Sequence, residues 1–147
     1  MNITIATEQD ARTISENNIK MAKETEHVTL DSHIAYDAAV NLITDPTKGF
    51  YLVAKQYGNI IGQLMITYEW SDWRNTMIWW IQSVYILKSH RKQGIYTKLY
   101  SQVRTLAKKK DISLIRLYVH NKNHLAMKTY QALGMKQTSY IMYEVKP

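Results

Sequence analysis

Val84-Tyr85-Ile86-Leu87 closes a run of β-branched and aromatic residues. Lys88-Ser89-His90-Arg91-Lys92-Gln93 is short and basic, and Gly94-Ile95-Tyr96-Thr97 opens a segment with apolar residues at helical spacing. A strand therefore ends, a loop turns, and a helix begins at a glycine. The first backbone N–H groups of a helix have no intrahelical partner and point out of its N-terminus, where the helix dipole favours an anion. Gly94 allows close approach to the backbone and unusual dihedrals. Arg91 and Lys92 add formal charge. A diphosphate is the ligand that matches several convergent N–H donors. The alternative is a structural turn beneath a solvated basic loop, and an R-x-x-G spacing alone does not choose between them.

Upstream, Thr76–Leu87 reads as a long strand, Phe50–Tyr57 and Ile60–Tyr68 as a hairpin turning at Gly58-Asn59, and Trp70–Asn75 as a polar, aromatic loop. Asn2–Ala6 reads as a first strand. Thr7 and Asp10 resemble a capping box for a helix over residues 8–24, with Ala11, Ile14, Met21 and Ala22 on one face. Asp31 can cap a second helix that buries Ile34, Ala35, Ala38 and Leu42 and ends near Asp45-Pro46 and Gly49. Downstream, Ile95, Leu99, Val103 and Leu106 mark an amphipathic helix, Ile112–His120 a strand, Asn123 to Leu133 a capped helix stopped by Gly134, and Lys136–Val145 a final strand. The order βααβββαβαβ shows no repeat, linker or low-complexity segment. It predicts an α/β (α+β) fold, a mixed sheet with helices on both faces, in a single domain over residues 1–147.

A second constellation follows the loop. Asn123, Ala126, Tyr130 and Gly134 are spaced N-x-x-A-x-x-x-Y-x-x-x-G, so Asn123 can cap the helix and offer an amide to a ligand, with Tyr130 about two turns along. In this order the two segments resemble the motifs of the GNAT superfamily of acyl-CoA-dependent N-acetyltransferases. Its Q/R-x-x-G-x-G/A is matched from Arg91 to Tyr96, with Tyr96 where the family prefers Gly or Ala. Its N-x-x-A-x-x-x-Y-x-x-x-G-F is matched from Asn123 to Gly134, with Met135 for Phe. The resemblance implies a mostly antiparallel central sheet with one splayed parallel pair, Thr76–Leu87 and Ile112–His120, and acetyl-CoA as acyl donor.

It also implies a division of labour. Backbone groups of Val84, Tyr85 and Ile86 would bind the pantetheine arm. Arg91, Lys92, Gln93, Gly94, Ile95, Tyr96 and Thr97 would hold the pyrophosphate, chiefly through N–H groups, with Asn123 also on the donor side. The Tyr96 phenol either crowds the pyrophosphate or points into the helix packing.

Transfer to an amine requires a proton acceptor, stabilisation of a tetrahedral oxyanion and a proton for the leaving thiolate. The chain has no cysteine, which agrees with direct transfer and excludes a cysteine nucleophile and a disulfide framework. Tyr130 suits protonation of a thiolate better than a base's role; otherwise it is a packed helical tyrosine. Diamine acetyltransferases of this superfamily carry a glutamate where Gln82 stands. Deprotonation then falls to a water held by Gln82 and Ser83, to Glu69 or to Asp72.

Tyr68-Glu69-Trp70-Ser71-Asp72-Trp73-Arg74 sets two tryptophans beside two carboxylates. Carboxylates and aromatic faces both attract cations, so Glu69, Trp70, Asp72 and Trp73 are candidates for binding a charged amine. The alternative is surface charge, with Trp73, Trp79 and Trp80 packed on the first two helices or a dimer partner.

Bulk properties bound the rest. The net charge is +7, but residues 1–73 carry five Lys/Arg and ten Asp/Glu, whereas residues 74–147 carry fourteen and two. One half favours anions and the other tolerates cations. No basic run interleaves with aromatics, so nucleic acid is not an expected partner. The five histidines have no metal-ligand spacing. No apolar run approaches the about 20 residues of a bilayer span, and no signal-peptide pattern opens the chain, so the expectation is a cytoplasmic protein without membrane attachment. Edge strands and aromatics make a homodimer plausible. The expected activity is N-acetylation of a small-molecule or peptide amine. The rival is a non-catalytic acyl-CoA-binding or sensing module of the same fold.

Overall fold

In the computed structural model, which describes all 147 residues, the elements are β1 (Asn2–Ile5), α1 (Ala11–Glu26), α2 (Ser32–Ile43), β2 (Gly49–Gln56), β3 (Asn59–Ser71), β4 (Thr76–Ile86), α3 (Ile95–Lys109), β5 (Leu114–Arg116) and α4 (His124–Ala132). Short 3₁₀ turns lie at Glu8–Asp10 and Lys88–His90. The chain divides into two compact units, Met1–Leu117 and Tyr118–Pro147. No helix is long and apolar enough to cross a membrane.

The first unit is a five-stranded sheet in the order β1-β2-β3-β4-β5, antiparallel except for the parallel pair β4–β5. Strand alternation sorts its two faces. Tyr51 and Val53 of β2 face Ala11 and Ile14 of α1 and Ala39 and Leu42 of α2 in one core. On the other face α3 lies close: a Cβ built on Gly62 of β3 would stand 2.9 Å from Ile95 Cγ2. Ile95, Leu99, Val103 and Ala107 form its buried stripe. Helices on both faces of a mixed sheet are thus the architecture the element order predicts.

The helix caps form as expected. The Thr7 N–H donates to Asp10 Oδ2 at 3.0 Å, and the Ile34 N–H donates to Asp31 Oδ1 at 3.0 Å, so each satisfies a donor that the helix start leaves open. One polar cluster crosses the α1–sheet core. Gln63 is 0% exposed. Its Oε1 accepts from Asn17 Nδ2 at 2.9 Å, and its Nε2 donates to Asn18 Oδ1 at 3.0 Å and to the Ile14 carbonyl at 3.3 Å. Each amide satisfies another, which removes most of the cost of burying them.

Six expectations need correction. In α2 the buried residues are Ala35, Ala39 and Leu42, while Ala38 is exposed and Ile34 is 70% exposed; the apolar stripe is wider than the face that meets the sheet. The hairpin turns at Tyr57 and Gly58, both at positive φ, with Asn59 already paired to Gln56. Trp70 is not loop: β3 continues to Ser71, paired with Thr76. Around Trp79, packing is with Phe50, at 5.2 Å between ring centroids, and Tyr68, at 6.2 Å, on the α3 face rather than against the first two helices. The strand expected at Ile112–His120 forms a ladder only over Leu114–Arg116, and Lys136–Val145 forms none. Strand-forming side chains state a preference, but a ladder requires an edge to pair with, and that is decided far away in sequence.

In the second unit Asn123 Oδ1 accepts from the Ala126 N–H at 3.2 Å. Gly134 has φ 88°. Its N–H reaches the Gln131 carbonyl at 3.0 Å and that of Met135 the Tyr130 carbonyl at 3.0 Å, the paired bonds of a left-handed C-terminal stop.

Candidate functional site

β4 changes character along its length. From Ile78 to Trp80 it pairs with Leu114–Arg116 of β5. Beyond Trp80 that ladder ends. Against β3, Met65 pairs with Gln82 and Gln63 with Tyr85, so β4 holds one extra residue. The extra residue is marked by Ser83, whose φ is 50°. Such a bulge bends its strand and re-aims the residues beside it. Val84, Tyr85 and Ile86 therefore follow a bend, along an edge of β4 that carries no β5 ladder.

The chain then turns over Lys88–His90. Lys92 has φ 61° and Gly94 φ 73°. The Gly94 carbonyl accepts from the Lys98 N–H at 3.1 Å, which begins α3 and leaves the N–H groups of its first turn, Ile95 to Thr97, without a partner inside the helix. A Cβ at Gly94 would meet nothing within 4 Å, so the glycine answers to its dihedral and the space beside it is open. Gln93 Nε2 donates to the Ser89 carbonyl at 3.1 Å and braces the loop. Ile95 faces the core. The Tyr96 ring lies 6.2 Å from that of Tyr100, one helical turn on, so it runs along the helix body.

Arg91 is occupied. Its Nε donates to the Ile86 carbonyl at 3.0 Å, its Nη2 to Glu24 Oε2 at 2.8 Å, and its guanidinium carbon lies 5.5 Å from the centre of the Tyr85 ring. Tyr85 Oη donates to Glu24 Oε1 at 3.1 Å, and Lys88 Nζ stands 3.5 Å from that oxygen. The bond from Arg91, above all, holds the Glu24 carboxyl below the usual carboxylate range; burial, above all, raises the Tyr85 phenol.

The α1/α2 face of β3–β5 carries a polar strip. The register places Thr67 beside Trp80, Glu69 beside Ile78 and Arg116 beside Trp80. Gln82 Nε2 donates to Thr67 Oγ1 at 2.6 Å, Trp80 Nε1 to Glu69 Oε1 at 3.0 Å, and Arg116 Nη1 to Glu69 Oε2 at 3.2 Å. Glu69 and Trp70, adjacent on a strand, point to opposite faces. Trp70 is 58% and Trp73 85% exposed, and Asp72 is exposed in the turn, so the four residues expected to gather around an amine do not form one cluster. On the α3 face a shallow depression of ≈ 390 Å³ is lined by Tyr68, Met77, Trp79, Lys110 and Ile112.

In the second unit Tyr130 is half-buried on α4, and burial raises its phenol above the ordinary range. Glu24, Thr67, Trp80 and Arg116 were not among the sequence candidates. No local pattern singles them out, because each meets its partner across 11 to 67 positions.

Comparison with known proteins follows the same lines. The sequence pattern described as Acetyltransferase (GNAT) family matches residues 15–135. A thialysine N-epsilon-acetyltransferase of Bos taurus is 32% identical over 75 residues, 51% of this chain and 44% of that protein, so the match spans less than half of the relative. A solved structure of a possible acetyltransferase from Clostridium difficile 630 is 39% identical, with a TM-score of 0.94 over 99% of this chain and 97% of that one. The aminoglycoside antibiotic 6'-N-acetyltransferase AAC(6')-IG of Acinetobacter haemolyticus, 19% identical over 100% and 99% of the two chains, shares the fold at a TM-score of 0.78.

Proposed function

The chain belongs to the acetyltransferase (GNAT) family, and on that premise we propose that it moves an acetyl group from acetyl-CoA directly to a primary amine of a small molecule or peptide. The observation that carries this reading is the succession at the end of β4: a bulge at Ser83, a strand edge past the β5 ladder, and a helix opened by Gly94 at φ 73°. Pantetheine amides would pair with the backbone of Val84, Tyr85 and Ile86 as a neighbouring strand does. The diphosphate would rest on the N–H groups between Lys92 and Thr97, where the dipole of a fifteen-residue helix favours negative charge. With the Tyr96 ring directed along α3, its N–H joins that set. Asn123 caps α4 and so orients the helix that carries Tyr130.

The chemistry follows from the side chains. The acceptor attacks as free amine, its nitrogen bonding to the thioester carbon. The carbon–sulfur bond breaks as the tetrahedral intermediate collapses. The amine's proton passes to a water held at Gln82 and Ser83, and Tyr130 protonates the departing thiolate. A phenol raised above its ordinary pKa of about 10 stays protonated at neutral pH, as a donor must. Glu69, Trp70, Asp72 and Trp73 remain the acceptor candidates, with Glu69 foremost because it lies on the face that holds Gln82. The match to a thialysine N-epsilon-acetyltransferase supports testing thialysine early in an amine panel.

A second reading has one observation in its favour. Glu69 is already engaged by Arg116 and Trp80, and Gln82 is an amide, so this face offers no unengaged carboxylate base; a non-catalytic acyl-CoA-binding module would need none. Mixing the protein with acetyl-CoA and primary amines, while following thiol release and product mass, separates the two. Acetylated amine in step with free thiol supports transfer. Acetyl-CoA binding without product supports the binding module, and absence of binding rejects the diphosphate site.

A further inference from the structure

Glu24 lies in the last turn of α1, a helix that the Asn17–Gln63 bond ties to the sheet. Its carboxylate collects groups from three successive points of the donor-side backbone: Tyr85 near the end of β4, Lys88 in the 3₁₀ turn and Arg91 in the loop. Among these Arg91 also returns to the strand, donating to the Ile86 carbonyl. Its guanidinium thus clips the loop across the turn from Ile86 to Lys92, with Tyr85 beneath it and Glu24 at its end. A planar fork can satisfy both acceptors at once, whereas a lysine ammonium on a flexible stem cannot hold that geometry.

Resting on the donor reading above, we propose that Glu24 is a positioning residue for the acyl donor. Through Arg91 it fixes the turn that aims the first N–H groups of α3 at the diphosphate. Arg91 acts here as a brace between α1, strand and loop, and the formal charge for the phosphates comes from Lys92 and the helix terminus. Simple electrostatics predicts the opposite sign. A carboxylate beside an anion site repels the anion, so if charge alone mattered, neutralising Glu24 would tighten binding.

Calorimetric titration with coenzyme A of the wild type, Glu24→Gln, Arg91→Lys and the double variant separates these. Each single substitution is expected to weaken binding about fivefold, the scale of one partly exposed ion pair with good geometry. The double variant is expected to lose no more than either, because the two residues act as one device. Arg91→Lys keeps the charge, so a loss there identifies geometry as the cause. In steady-state kinetics the Glu24→Gln loss falls on KM for acetyl-CoA and not on kcat. Thermal melts of each variant establish that it is folded. Binding by Glu24→Gln as tight as or tighter than the wild type, or additive losses in the double variant, overturns the proposal. A folded wild type that does not bind coenzyme A overturns instead the donor reading beneath it.

Discussion

On the proposed reading, the chain beyond Ser83 would offer a ligand mainly backbone: a strand edge, a turn and the start of α3. At the Thr76 end of the same strand it offers side chains on three adjacent strands, Glu69, Trp80 and Arg116. The first kind of site depends on dihedral angles and on where a helix begins, both set within a dozen residues. On the proposed reading it should tolerate variation in side chains that, like the Tyr96 ring, run along α3. The second depends on register. One residue of slip would move Glu69 to the α3 face and break both of its bonds. Donor recognition is therefore expected to be robust to surface substitution and acceptor recognition to be sensitive to it.

The hardest test concerns the chemistry rather than either recognition surface. Tyr130→Phe is expected to lower kcat about 10²–10⁴-fold, the usual contribution of a positioned acid, with KM for acetyl-CoA unchanged. Because burial raises the phenol, wild-type activity should show no loss assignable to Tyr130 below about pH 10. A falling limb near neutrality that Phe abolishes would assign the residue a different proton.

On the donor side, Gly94→Val forces a β-branched residue into φ 73°, at a cost of roughly 1–2 kcal/mol. Coenzyme A affinity is expected to fall about tenfold in calorimetry, without a clash, since the space there is open. Unchanged affinity would remove the helix terminus from the site.

At the acceptor side, Glu69→Ala removes the anion facing Arg116 and Trp80 and is expected to weaken amine binding about threefold to tenfold. Asp72→Ala, in the exposed turn, should change it less than about twofold. Titration with polyamines and monoamines reads both, and equal effects would restore the hairpin tip as a cation site. The smallest effect belongs to Trp73→Ala. An 85% exposed ring should alter stability by no more than about 0.5 kcal/mol in a thermal melt, and a larger loss would show that something covers it.

These differences track what could be read in advance. Gly94, Asp31 and Gly134 announced a helix start, a cap and a stop because each acts on its immediate neighbours. The loop expected over Trp70–Asn75 starts two residues too early, because polar and aromatic residues are as compatible with an exposed strand as with a loop. Only pairing with Met77 distinguishes them. Arg91 is a candidate from its motif position, whereas its partner is not legible there. Glu24 lies 67 positions away, and nothing in a run of lysines and glutamates on α1 marks one as different.

The sequence alone carried the resemblance to the family's motifs, the layered α/β plan and the helix start at Gly94, the last two because they rest on local spacing, capping and dihedral preference. Tertiary structure alone decided that Glu24 holds Arg91, that Glu69 faces Arg116 and Trp80, and that Lys136–Val145 forms no ladder. The first two are contacts between distant segments and the third is the lack of one; each depends on which strand edges and helix faces the folded chain brings within a few ångströms.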